Sequence, residues 1–176
     1  MTFSILSYDE ETGTFAGAAA TGSLCVGGWV LRGDIESGLV AAQGTAPSTF
    51  WRDDAMRRLH SGEEAAEVVA DLTDADNGRA HRQLAVLDRS GGTAGFTGEA
   101  SVPFADTIAA PNMVVAGNMI KSRAVLKAMI TAHDAETGGA PQRLIAALRA
   151  AQSAGSDVRG LKSAALLVLS PLAPPI

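Results

Sequence analysis

The chain has 176 residues, 47% hydrophobic and 19% charged, which is enough apolar material for one compact core. Its net charge of −5, without basic blocks or basic–aromatic interleaving, excludes a nucleic-acid-binding surface. No run approaches the ~18 consecutive apolar residues of a membrane span, and the first residues lack a secretion signal's basic-then-apolar pattern. One cysteine, Cys25, rules out an internal disulfide and suits a reducing cytoplasm. One domain over residues 1–176 is expected.

Thr2 to Tyr8 reads as a strand, residues 9–13 as a turn, and Thr14 to Thr21 as the return strand. Leu24 to Val30 and Gly38 to Gln43 are further strand candidates. A helix follows over Ser48 to Leu59. A second opens on the capping-box pattern Ser61-Gly62-Glu63-Glu64 and buries Ala65, Val68, Val69 and Leu72 at helical spacing. After a polar loop at residues 74–80, Arg82 to Asp88 alternates as a strand and Thr93 to Thr97 returns. Asn112 to Ala116 is another strand. Val125, Ala128, Met129 and Ala132 mark a helix, Leu144, Leu148 and Ala151 its successor, and Ser163 to Leu169 a final buried strand. That order predicts a layered α+β sandwich in which two sheets face each other.

Three segments carry possible chemistry. Thr2 directly follows the initiator methionine. With Met1 removed it would hold a hydroxyl nucleophile and an α-amine of pKa roughly 7.7–8.0, able to take the hydroxyl proton near neutrality. Gly117-Asn118-Met119 joins an apolar strand to a helix, where backbone amides could bind an oxyanion or Asn118 could merely cap the helix. In the loop Gly155-Ser156-Asp157-Val158-Arg159-Gly160, Asp157 could orient an amine and Arg159 hold an anion, or the pair could form an ordinary turn. Cys25, among Leu24, Val26 and Gly27, reads as core packing. His60, His81 and His133 lack ligand spacing, so no metal is expected. No phosphate loop, dinucleotide fingerprint or serine elbow is present, and no cofactor is expected.

Taken in order, several motifs resemble the DUF1028 family, proteins of unknown function classed with the N-terminal-nucleophile (Ntn) hydrolases. They are Met1-Thr2-Phe3-Ser4, Asp9-x-x-Thr12-Gly13, Ala20-Thr21-Gly22, Val26-Gly27, Ala41-Ala42-Gln43, Arg82-Gln83-Leu84-x-Val86-x-Asp88, Thr97-Gly98, Gly117-Asn118-Met119 and the run from Gly155 to Val168. The resemblance implies a four-layer αββα sandwich similar to proteasome subunits. It also implies attack on an amide carbonyl by Thr2, with Asn118 and Asp157 beside it and Gly117, Arg159 and Ser4 as ligand contacts.

Two departures accompany it. Proteasome-like sites place a lysine on an early strand, whereas here the lysines are Lys121, Lys127 and Lys162, and the nearest early cation is Arg32. The C-terminal segment, ending in Pro171-Leu172-Ala173-Pro174-Pro175-Ile176, is short beside related proteins. The expected function is therefore an amidohydrolase acting on a small amide. The alternatives are an inactive Ntn fold that binds a small anion, or a structural subunit. A homo-oligomer is expected in either case, because alanine-rich helices and glycine-rich strands suit close subunit packing.

Overall fold

The computed structural model describes residues 1–155 and 160–171. The chain runs β1 (Thr2–Asp9), β2 (Thr14–Thr21), a one-turn helix α1 (Val26–Trp29), β3 (Leu31–Asp34), β4 (Gly38–Gly44), α2 (Thr49–His60) and α3 (Ala65–Asp74). It continues through β5 (Arg82–Asp88), β6 (Thr93–Thr97), β7 (Asp106–Ala110), β8 (Met113–Asn118), α4 (Arg123–Ala135), α5 (Ala140–Gly155) and β9 (Ser163–Leu169). The strands form two antiparallel sheets, ordered β7-β8-β1-β2-β9 and β3-β4-β5-β6. Among the described residues no helix is long and apolar enough to cross a membrane.

Strand alternation assigns the side chains to three core clusters. Phe3 and Ile5 of β1, with Ala16, Ala18 and Ala20 of β2, pack against Val125, Leu126 and Met129 of α4 and Leu144 and Leu148 of α5. The opposite faces contribute Leu6, Phe15, Ala19, Val114 and Ala116, which meet Leu39, Ala41, Ala85 and Leu87 of the second sheet. That sheet's other face, with Val40, Ala42, Leu84 and Val86, is covered by Trp51, Ala55 and Leu59 of α2 and Val68 and Val69 of α3. The small residues of β2 have a steric cause: a Cβ on Gly17 would lie 3.1 Å from the Leu6 side chain.

The structure differs from the sequence expectations at several points. The stretch expected as a strand at 24–30 is instead the α1 turn, entered through Cys25 at φ 61°. Its carbonyls at Gly28 and Trp29 accept from the buried guanidinium of Arg52 on α2, a long-range partner that local patterning does not reveal. Cys25 itself is exposed rather than packed in the core. The Ser61–Glu64 capping box does not form. Glu64 is the N-cap without a side-chain bond, and Ala65 N–H donates 3.0 Å to Asp88 of β5. Glu63 is drawn to Arg58, whose guanidinium is held charged well above its ordinary range by Glu63 and then Asp71. Strands β3 and β7 are short edge strands recruited by their neighbours and were not anticipated. Strand β9 is not fully buried: Leu166 and Val168 are exposed, because the strand lies at the sheet edge.

Asp88 ties a strand end to a helix start. Its carboxylate accepts from Ala65 N at 3.0 Å, Ser90 N at 2.9 Å and Gly92 N at 2.9 Å while nearly buried. Asp88→Ala orphans all three donors, and a loss of roughly 2–3 kcal/mol is expected in urea unfolding. Glu64→Ala, which removes no capping bond, should change stability by less than about 0.5 kcal/mol.

Candidate active site

Directly paired strand positions share a face, and the registers bring polar residues into two rows. Thr21, Thr2 and Asn118 are cross-strand partners on β2, β1 and β8. Gln43, Gln83 and Thr97 are partners on β4, β5 and β6. Both rows are in phase with the inward-facing apolar residues between the sheets, so at this end of the interlayer core amides and hydroxyls replace aliphatic side chains.

Hydrogen-bond logic fixes the orientation of each group. Gln83, fully buried, donates from Nε2 to the carbonyl of Gly117 at 2.9 Å, to that of Asp106 at 3.3 Å and to Thr97 Oγ1 at 3.0 Å. Carbonyls only accept, so Gln83 Oε1 must face the other way. There it accepts from Gln43 Nε2 at 3.1 Å and Asn118 Nδ2 at 2.9 Å. Gln43 Nε2 also reaches the Thr2 carbonyl at 3.5 Å, and Gln43 Oε1 is a buried acceptor with no partner. The hydroxyls form a second relay. Thr21 Oγ1 donates to the Met1 carbonyl at 2.6 Å, so in the 3.0 Å contact between Thr2 and Thr21 the Thr2 hydroxyl is the donor. Gly22 N–H makes a longer contact, 3.3 Å, to the same Met1 carbonyl.

These groups open on a cleft of about 450 Å³ lined by Met1, Thr2, Thr21, Gln43, Thr45, Asn118 and Met119 and walled by residues from Ser23 to Val30. Met119 lies at φ 54°, in the left-handed region, and its sulfur is 3.0 Å from the Met1 amine. The Met1 side chain is buried in the α4/α5 core cluster.

Of the residues anticipated from sequence, the fold brings together Thr2 and Asn118. Asn118 does not cap a helix: it ends β8, and Ser122 caps α4 instead. Gly117 lies within β8, paired with both Phe3 and Asp106, with its carbonyl bound by Gln83; it does not line the cleft. Ser4 is fully buried behind Thr2 and is also absent from the lining. Asp157 and Arg159 lie outside the described residues. Arg32 is half-exposed near Asp53 at 3.9 Å, away from Thr2. Sequence reasoning assigned no role to Thr21, Gln43 or Gln83. Their signal was parity: each is a polar residue at the end of a strand, in step with that strand's inward apolar positions. The fold also brings His60 near Asp34 and Glu36, ligand atoms within 4.8 Å, although all three residues are exposed.

The model for a family of unknown function, DUF1028, matches residues 2–175. The chain belongs to this family. A DUF1028 protein from Silicibacter pomeroyi has a crystal structure similar to it at 47% identity and TM-score 0.93, covering 99% of this chain and 78% of that one. HslV from Trypanosoma brucei is similar in fold at 17% identity and TM-score 0.58, over 95% of this chain and 99% of that one. Thiobacillus denitrificans BPH in complex with epoxomicin is similar at 15% identity and TM-score 0.55, over 99% of this chain and 100% of that one. No curated protein sequence matches the chain.

In this DUF1028 member Gln83 is the group on which both rows depend. Gln83→Leu keeps the volume but strips partners from Asn118 Nδ2, Gln43 Nε2 and the Gly117 carbonyl. A loss of roughly 3 kcal/mol is expected in equilibrium unfolding. Gln83→Glu, which turns an acceptor toward the Gly117 and Asp106 carbonyls, should restore none of it.

Proposed function

We propose that the protein is an amidohydrolase of the N-terminal-nucleophile type on a four-layer αββα sandwich, with Thr2 as nucleophile and base once Met1 is removed. One observation carries the reading: the Thr2 side chain stands in a polar-floored cleft, at the end of a central strand, in a directed hydroxyl relay with Thr21. The three core clusters and the fold likeness to HslV and BPH support the architecture.

In this reading the α-amine of Thr2 takes the Oγ1 proton as Oγ1 bonds to the substrate's amide carbon. Thr21 Oγ1–H and Gly22 N–H, which here hold the Met1 carbonyl oxygen, are released to hold the substrate's developing oxyanion. The amine passes its proton to the leaving nitrogen, the carbon–nitrogen bond breaks, and water hydrolyses the ester on Oγ1. Asn118, fixed through Nδ2 by Gln83, presents its carbonyl end to the freed amine. While Met1 is attached the Thr2 nitrogen is a peptide nitrogen and cannot act as base.

Intact-mass measurement on protein from its native cells should find a species lighter by one methionine. An epoxyketone such as epoxomicin adds Thr2 Oγ1 at its ketone and the freed amine at its epoxide, with nothing leaving. The mass should therefore rise by one whole inhibitor, and Thr2→Ala should abolish the gain. Retained Met1 throughout, or labelling that survives Thr2→Ala, rejects the assignment.

One observation favours a homo-oligomer as well. On edge strand β9, Leu166 and Val168 form an apolar pair that α5 leaves uncovered, beside a strand edge without a neighbour among the described residues. Light scattering should give a mass above one chain, and Leu166→Lys should reduce it.

A further inference from the structure

Alternation along β1 extends one residue back from Thr2. Thr2 points between the sheets, so Met1 shares the opposite face with Phe3 and Ile5, and its side chain is buried to 4% exposure in the cluster with α4 and α5. Its backbone continues the pairing with β2: the Met1 carbonyl accepts from Thr21 Oγ1 at 2.6 Å and from Gly22 N at 3.3 Å. Its amine stands 3.0 Å from the Met119 sulfur. Met1 is also part of the cleft lining. When it leaves, the cleft therefore gains an apolar recess that runs toward the α4/α5 core, already shaped around one unbranched side chain. The attached Met1 stands to Thr2 as the acyl part of a bound amide would. Its carbonyl oxygen holds the two donors that the proposed hydrolysis gives to the substrate's oxyanion. A substrate carbonyl on those donors lays its own side chain where the Met1 side chain lies now. Filling the recess recovers the packing that its emptying forfeits, and that loss grows with the volume left open.

We infer that the seat of the Met1 side chain becomes the acyl subsite of the processed protein. It takes an α-aminoacyl amide whose side chain is apolar, unbranched and of methionine length, with the α-amine turned to Met119 as the Met1 amine is now. The donor assignment rests on the proposed hydrolysis; the seat itself does not. Glycine leaves the recess empty, and a β-branched side chain carries its bulk at the mouth rather than along the recess.

Protein made with and without active methionine aminopeptidase, each form checked by intact mass, tests it by thermal unfolding. The probes are L-methioninamide, norleucinamide, valinamide and glycinamide. The processed form should melt about 5 °C or more below the Met1 form. Saturating methioninamide or norleucinamide should raise the processed form by about 3 °C or more, in Thr2→Ala alike. Glycinamide and valinamide should shift it by less than about 1 °C, and the Met1 form should respond to none. Ala20, the pairing partner of Phe3, lies diagonal to Met1 on the same face. Ala20→Leu should raise the melting temperature of the processed form and abolish the methioninamide shift. An equal shift by glycinamide, the same shift in both forms, or none with methioninamide overturns the inference. A methioninamide shift without epoxomicin labelling keeps the subsite and removes the hydrolysis. Labelling without the shift does the reverse.

Discussion

The buried amide of Gln83 ties the two sheets together at the end of their interface where amides and hydroxyls replace aliphatic side chains. Over most of the interface between the sheets, aliphatic side chains from the two faces interlock, and their burial is non-directional. At the Thr2 end direction replaces area. A single side chain from β5 spans to the backbone of β8 and β7 and sets the polarity of every neighbouring amide. Because backbone carbonyls cannot donate, reversing the Gln83 amide would place acceptor against acceptor at Gly117 and Asp106. The Gln43 and Asn118 nitrogens must then point toward Gln83 Oε1, and Gln43 Nε2 also reaches the Thr2 carbonyl. The orientation of the amides beside Thr2 is thus set by a residue that does not line the cleft.

The cleft wall depends on a second long-range contact. A one-turn helix such as α1 cannot stabilise itself, since nucleation costs more than its few hydrogen bonds return. Arg52 reaches from α2 to the carbonyls at its C-terminal end, and Gly27 permits a close approach to β9, where a Cβ would stand 2.8 Å from that of Ala165. Cys25 enters the turn and Met119 leaves β8 with positive φ, costing of order 1–3 kcal/mol each. Both strained positions adjoin the cleft, Met119 as part of its lining and Cys25 between the lining residues Leu24 and Val26.

Most of the frame was legible because its signals are local. The strands over Thr14–Thr21, Arg82–Asp88 and Thr93–Thr97 and the helical spacing of Val125, Ala128, Met129 and Ala132 follow from alternation and period. What failed was what depends on distant partners: the α1 turn on Arg52, the α3 cap on Asp88, and edge strands β3 and β7 on their neighbours. The site divided along the same line. Thr2 and Asn118 are identifiable from their motifs, but the proximity of Gln43 and Gln83 to them exists only after two sheets stack. Their inward parity was visible, since Gln83 keeps step with Ala85 and Leu87, and Gln43 with Leu39 and Ala41. A polar residue in an apolar phase marks a partner to be found, not which partner.

The same constraint bears on how polar groups are arranged around Thr2. In proteasome-like sites a lysine beside the nucleophile is expected to tune it, and a buried ammonium there needs counter-charges that bring their own desolvation cost. Here Thr21, Gln43 and Asn118 set hydroxyls and amides around Thr2, the amides held in orientation from behind by Gln83, and the Met1 ammonium stands beside them. Preorganised dipoles in a water-poor cleft can stabilise developing charge without reorganising. The donors of Thr21 and Gly22 are occupied by the Met1 carbonyl. Loss of Met1 would therefore free the donors and the Thr2 amine in one event, turning a closed set of hydrogen bonds into an open one.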